Sequence, residues 1–243
     1  MWVDSHCHIT HEKIAELGTP DQLIANAANA GVEAMLVINC RIVEELPTIL
    51  AAVKPHKNVW CTIGTHPHDA SVEAEKALSV ADIVARINAN GKIVGVGESG
   101  LDYYYDFADR NDQHASFRKH IQVCLETGLP LVVHARDADD DIIRLIREET
   151  SGKGMQGIMH CFSSSPKMGI EALELGFHLS FSGMITFKKS EELRAIDRLR
   201  RQVEKVQRAQ DGNSRALRND AYDAIPSLKD IRAVSQQVIA DKV

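Results

Sequence analysis

Short apolar runs rich in β-branched residues recur along the chain, and between them lie longer stretches whose apolar positions have helical spacing. The runs are Trp2-Val3, 34–38, 59–63, 92–96, 131–133, 156–159 and 177–181. The helical patterns cover 21–30, 43–53, 72–89, 111–127, 138–148 and 167–175. Gly31, Gly91, Gly128 and Gly176 stand where four of those helices should stop. Near-continuous apolar strands are buried on both faces, which is the signature of a parallel sheet. Strand–helix alternation repeated this often predicts a (β/α) barrel or a doubly wound sheet.

The polar residues next to the strands separate these two folds. His6 and His8 follow the first run, His66 and His68 the third, Glu98 the fourth, His134 the fifth and His160 the sixth. Barrel enzymes assemble their sites at that face from many strands. A doubly wound sheet concentrates its site at one switch point and often opens with Gly-x-Gly-x-x-Gly, which is missing after the first strand here. The expected fold is therefore an α/β, TIM-type (β/α) barrel.

Residue types at these positions suggest the chemistry. Side chains two apart on a strand point the same way, so His6 and His8 leave the first strand side by side. Neutral imidazole is a common ligand for zinc and similar divalent ions. Imidazoles converging with one carboxylate suit a one- or two-metal hydrolytic centre, and two ions about 3.5–4 Å apart can share a carboxylate bridge. Glu98 is the natural bridge. His56, His114, His120 and His178 have no strand-end position and read as ordinary residues. Tyr103, Tyr104 and Tyr105 read either as an aromatic rim or as half-buried packing.

Composition narrows the partners. The chain has 243 residues, 44% hydrophobic, with a formal net charge of −6. That suffices for a sizeable core and argues against bulk electrostatic binding to DNA or an anionic membrane. A nucleic-acid substrate then needs local positive charge, such as a bound metal supplies. No run approaches the roughly 20 apolar residues of a membrane helix, and the N-terminus lacks signal-peptide features. The odd, scattered set Cys7, Cys40, Cys61, Cys124 and Cys161 implies neither a disulfide framework nor a thiolate zinc site. A reducing, cytoplasmic setting is expected, with no obligate protein partner evident.

Several ordered motifs resemble the TatD family of metal-dependent deoxyribonucleases, within the amidohydrolase-like barrels. They are Val3-Asp4-Ser5-His6-Cys7-His8, Gly64-Thr65-His66-Pro67-His68, 96–104 from Val96 through Glu98 to Tyr104, His134-Ala135-Arg136-Asp137-Ala138, His160-Cys161-Phe162-Ser163 and 180–187. The resemblance implies hydrolysis of DNA, or of another phosphodiester, by metal-activated water, with two divalent cations (Mg, Mn or Zn). It implies one metal at His6, His8 and Glu98 and a second at Glu98, His134 and His160. It places His66 and Arg136 near the substrate phosphate, where a guanidinium suits a pair of oxygens.

The resemblance ends near residue 196. The family's eighth strand, which carries a metal-ligating aspartate, has no counterpart in the sequence. Residues 197–243 hold 10 basic and 7 acidic residues, against a net −9 before them, and all eleven histidines precede the break. The expected organisation is a hydrolase barrel of strands one to seven over 1–196, incomplete at the eighth strand, and a divergent, mainly helical or irregular tail over 197–243. Two alternatives follow: a catalytically impaired metal-binding remnant lacking the terminal Asp, or a hydrolase of a non-nucleic ester or amide.

Overall fold

A computed structural model of the chain describes residues 2–198. Seven parallel strands form one curled sheet in strict sequence order. They are β1 (Trp2–Cys7), β2 (Val32–Val37), β3 (Val59–Ile63), β4 (Ile93–Asp102), β5 (Leu131–Arg136), β6 (Gly157–Met159) and β7 (Phe177–Leu179). The helices between them are α1 (Pro20–Asn29), α2 (Ile42–Val53), α3 (Glu73–Lys76), α4 (Val80–Ala89), α5 (Arg110–Thr127), α6 (Asp139–Glu149) and α7 (Pro166–Glu174). This is the TIM-type fold expected from the alternation, and among the described residues it has no eighth strand. The tail expected over 197–243 lies, from 199 onward, outside the described residues. Residues 191–198 are helical, and Ile196 packs into the core.

The core lies between sheet and helices. Val37, Cys61, Ile63, Val96, Leu131 and Val133 from the strands meet Ile42, Ile49, Phe117, Ile121, Ile142 and Ile146 from the helices, all of them buried. None of the five cysteines is in a disulfide. No helix among the described residues is long and apolar enough to cross a membrane.

Helix ends follow local chemistry. Thr19 caps α1 through a reciprocal pair with Gln22. Gly128 ends α5 at φ 72°, a left-handed turn that glycine enters without penalty. The single helix expected over 72–89 is instead two, α3 and α4. The break falls where Ser79 and Asp82 form a capping box that starts a new helix.

Three strands run further than their apolar cores suggest. β1 extends through His6 to Cys7, β5 through His134 to Arg136, and β4 for six residues beyond Val96. β4 stays paired to β5 through Gly100 opposite His134 and Asp102 opposite Arg136. His6, Glu98, His134 and Arg136 therefore project from strands, not from the loops after them.

Candidate metal centre

Strands β1 and β3 to β6 bring imidazoles and carboxylates to one end of the sheet, with Glu98 at their centre. This residue is only 4% exposed. Its Oε2 lies 3.2 Å from Nε2 of His6, and its Oε1 lies 3.1 Å from Nδ1 of His134. Nε2 of His8 is 3.2 Å from Nε2 of His6, and the His160 ring stacks on His6 at 3.4 Å. Nε2 of His66 sits 3.2 Å from Nδ1 of His134 and 3.9 Å from Oε1 of Glu98.

These atoms form overlapping groups, each compact enough to surround one cation: His6, Glu98 and His160; His8, Cys40 and Glu98; His66, Glu98 and His134; and His68, Asp102 and His134. The five residues expected as ligands, His6, His8, Glu98, His134 and His160, are thus brought together. His160 shares a group with His6, and His134 shares one with His66. His66, expected near the phosphate, stands within the donor cluster itself.

The electrostatics suit a cation. Burial opposes ionisation of Glu98, yet the hydrogen bonds from His134 and His6 outweigh it and hold the carboxyl well below its usual range. Burial pushes His66 and His160 down to about 3 and lowers His8 as well. Burial would also depress His134, but the Glu98 and Asp102 carboxylates raise it instead. An ionised carboxylate is therefore surrounded by several imidazoles held neutral, which is the protonation state that ligation needs. The ring nitrogens of His6 and His8, and of His66 and His134, face each other. Each such pair can share one proton, or present two lone pairs to one cation.

Three residues not assigned roles from sequence complete the site. Asp102, fully buried, accepts at Oδ2 from His134 Nε2 and His68 Nε2, both at 2.9 Å. Burial opposes its ionisation, but the Tyr105 backbone N–H and the two histidines outweigh it and lower its pKa. Gln113 of α5 fixes Asp102 from behind, accepting from its N–H at 2.8 Å and donating to its carbonyl at 3.2 Å. Asn39, fully buried after β2, accepts the Glu98 N–H on its backbone carbonyl at 3.0 Å and the Gly64 N–H on Oδ1 at 3.1 Å. It is the polar residue at the one strand end, among the first six, that carries no histidine or glutamate. That gap in the series was the available signal.

The His66 segment is held by two further buried groups. His120 accepts the Thr65 N–H on Nε2 at 3.0 Å while its Nδ1 donates to the Ser116 carbonyl. Glu75 accepts from the Thr65 hydroxyl at 2.5 Å and from the Val43 N–H at 2.8 Å, so it also caps α2, whose own N-cap residue Arg41 makes no such bond.

Arg136 lies at the edge of the cluster. Its guanidinium sits 4.8 Å from the Tyr104 ring centroid, and its Nε is buried without a protein partner. His56 pairs with Asp21, and His114 meets Tyr103 and Asp141, in keeping with ordinary roles.

A curled parallel sheet with carboxylates and imidazoles gathered at the C-terminal strand ends defines the class of barrel metal-dependent hydrolases. The family model for TatD related DNase matches residues 3–205, and the chain belongs to the TatD family. It is 32% identical over 200 residues to the uncharacterized metal-dependent hydrolase YabD of Bacillus subtilis, covering 81% of this chain and 74% of that one. It is 29% identical over 168 residues to the 3'-5' ssDNA/RNA exonuclease TatD of Klebsiella pneumoniae, covering 68% of this chain and 61% of the other. Among solved structures, the TatD homologue YJJV of Escherichia coli superposes with a TM-score of 0.69 at 22% identity, covering 80% of this chain and 73% of that one. That last likeness concerns the fold.

Proposed function

We propose that this protein hydrolyses phosphodiester bonds of DNA with two divalent cations. The single observation that carries the reading is Glu98, one carboxylate with an imidazole at about 3 Å from each oxygen. His6, His8 and His160 would hold one ion with Glu98; His134 and His66 would hold the other. Cations bound there supply Lewis acidity toward phosphate oxygens and acidify water.

The chain's own residues do the rest. Glu98 keeps its charge under burial, so its two oxygens stay available as donors. Asp102 accepts the Nε2 proton of His134 in a hydrogen bond, so that with a cation in place of the proton shared with Glu98, Nδ1 would be the nitrogen free to ligate it. A carboxylate behind a ligand histidine sets the tautomer and the ring orientation in this way. The Arg136 guanidinium, which lies over the Tyr104 ring, would meet a phosphate oxygen.

The test is hydrolysis of a short DNA strand with and without chelator. Loss in chelator and recovery on adding Mg, Mn or Zn supports the reading, and full activity in excess chelator refutes it. One observation favours the second reading, a metal-binding protein with weak turnover. Among the described residues no eighth strand brings the aspartate that the resemblance implies. Metal content without hydrolysis in the same assay would select it.

A further inference from the structure

The segment after β4 exposes aromatic rings beside the metal centre. Tyr104 is 58% exposed, Tyr105 54% and Phe107 68%. Tyr105 and Phe107 stack with centroids 5.4 Å apart, and Tyr104 meets Tyr105 edge-on at 4.9 Å. His68, which shares Asp102 with His134, contacts Phe107 at 4.8 Å and Tyr105 at 5.5 Å. Oδ1 of Asp102 accepts the backbone N–H groups of Tyr104 and Tyr105 at 3.1 and 2.9 Å. One carboxylate therefore ties the aromatic segment and the His134 side of the centre into a single unit.

Cations flank the rings. Arg136 lies over Tyr104, and Arg110 lies 4.1 Å from the centroid of Tyr103. Arg136 also lines a cavity of about 640 Å³, but Asp137, Asp139, Asp140 and Asp141 line it too. Those carboxylates repel a phosphate backbone, whereas on the aromatic side Asp106 is paired with Arg110 at 3.4 Å, so a nucleic-acid chain reaching Arg136 is favoured there.

We propose that Tyr104, Tyr105 and Phe107 form a shelf on which a nucleobase of single-stranded nucleic acid stacks while the neighbouring phosphodiester lies at the Glu98–His134 centre. This rests on the phosphodiesterase reading and adds to it the residues that would seat a base. Three large rings left in water next to a reactive centre lose the gain that burial would bring, and a base face restores it. Every base has a π-face, so such a shelf tolerates sequence. In a duplex those faces are covered by neighbouring pairs, so the strand must be single or opened.

The test is fluorescence anisotropy, with divalent cation present, on a labelled single-stranded oligothymidylate and an abasic oligomer of equal length, both built with nuclease-resistant phosphorothioate linkages so that neither is cut. Tyr105→Ala/Phe107→Ala should raise Kd for the oligothymidylate about 10-fold or more and leave Kd for the abasic oligomer unchanged. Tyr105→Phe and Phe107→Tyr, which keep the rings, should bind like wild type. Equal Kd for wild type and the double alanine variant on the oligothymidylate overturns the shelf. So does an equal loss on the abasic oligomer, or no binding of the oligothymidylate by wild type. Hydrolysis of the unmodified oligothymidylate by wild type with divalent cation is read separately. Cleavage with an unaltered Kd ratio sinks the shelf alone, and base-dependent binding without cleavage sinks the phosphodiesterase reading alone.

Discussion

Oδ2 of Asp102 stands 2.9 Å from Nε2 of His134, on the side of the ring away from Glu98. Both carboxylates act on the same imidazole, one from each nitrogen. In the proposed centre Asp102 would keep the proton on Nε2 and leave Nδ1 to serve as the ligand.

Asp102→Asn should therefore weaken metal binding by about 10- to 100-fold, the usual cost of losing a group that orients a ligand histidine. Isothermal titration of the metal-free protein with zinc measures it. Wild-type affinity in Asp102→Asn would show that His134 is oriented by something else.

Close approach of strand ends gives a second expectation. A Cβ on Gly64 would lie 2.4 Å from the Gly97 backbone, so β3 and β4 meet here without room for a methyl group. That contact sets the position of Gly97 and hence of Glu98 next to it. Gly64→Ala should cost about 3 kcal/mol or more, at the upper end of overpacking effects. Gly91→Ala, with nothing within 4 Å, is the control. Equal urea midpoints for the two variants would contradict the close contact.

The order of elements was legible because it depends on local pattern. The runs at 34–38 and 59–63 fall on β2 and β3, and Gly128 stops α5. The extent of β4 was not legible. Gly97 and Gly100, interspersed with Glu98, Ser99 and Asp102, read as a segment after the strand, yet pairing to β5 holds them as strand. That error hid Asp102, which shares the Glu98 parity only once the strand is known to continue. Asn39 was hidden for another reason: a lone Asn after a strand reads as a turn, and its backbone contact with Glu98 exists only in the folded sheet. The grouping of His66 with His134 likewise depends on the curl that brings β3 near β5.

His120 gives a pH dependence. Burial pushes it down to about 4, and its Nε2 must stay unprotonated to accept the Thr65 N–H. The unfolded chain binds a proton near pH 6.5, so the folded state is favoured above that pH and loses stability as pH falls toward 4. Between pH 7 and 5 this contributes a loss of about 2 kcal/mol. Urea unfolding of wild type and His120→Asn at both pH values isolates it, since other histidines contribute equally to both. The variant should be less stable at pH 7 and show the smaller drop. An identical drop in the two proteins would contradict the assignment.

Glu98 is where the two halves of the proposed centre meet, and losing it should affect both metals at once. Purified wild type, Glu98→Ala and His6→Ala, equilibrated with zinc and freed of excess, can be assayed by elemental analysis. Wild type should hold about two ions per chain. His6→Ala should retain part of that content, and Glu98→Ala should retain the least. Glu98→Ala carrying the same metal content as wild type would contradict a bridging carboxylate.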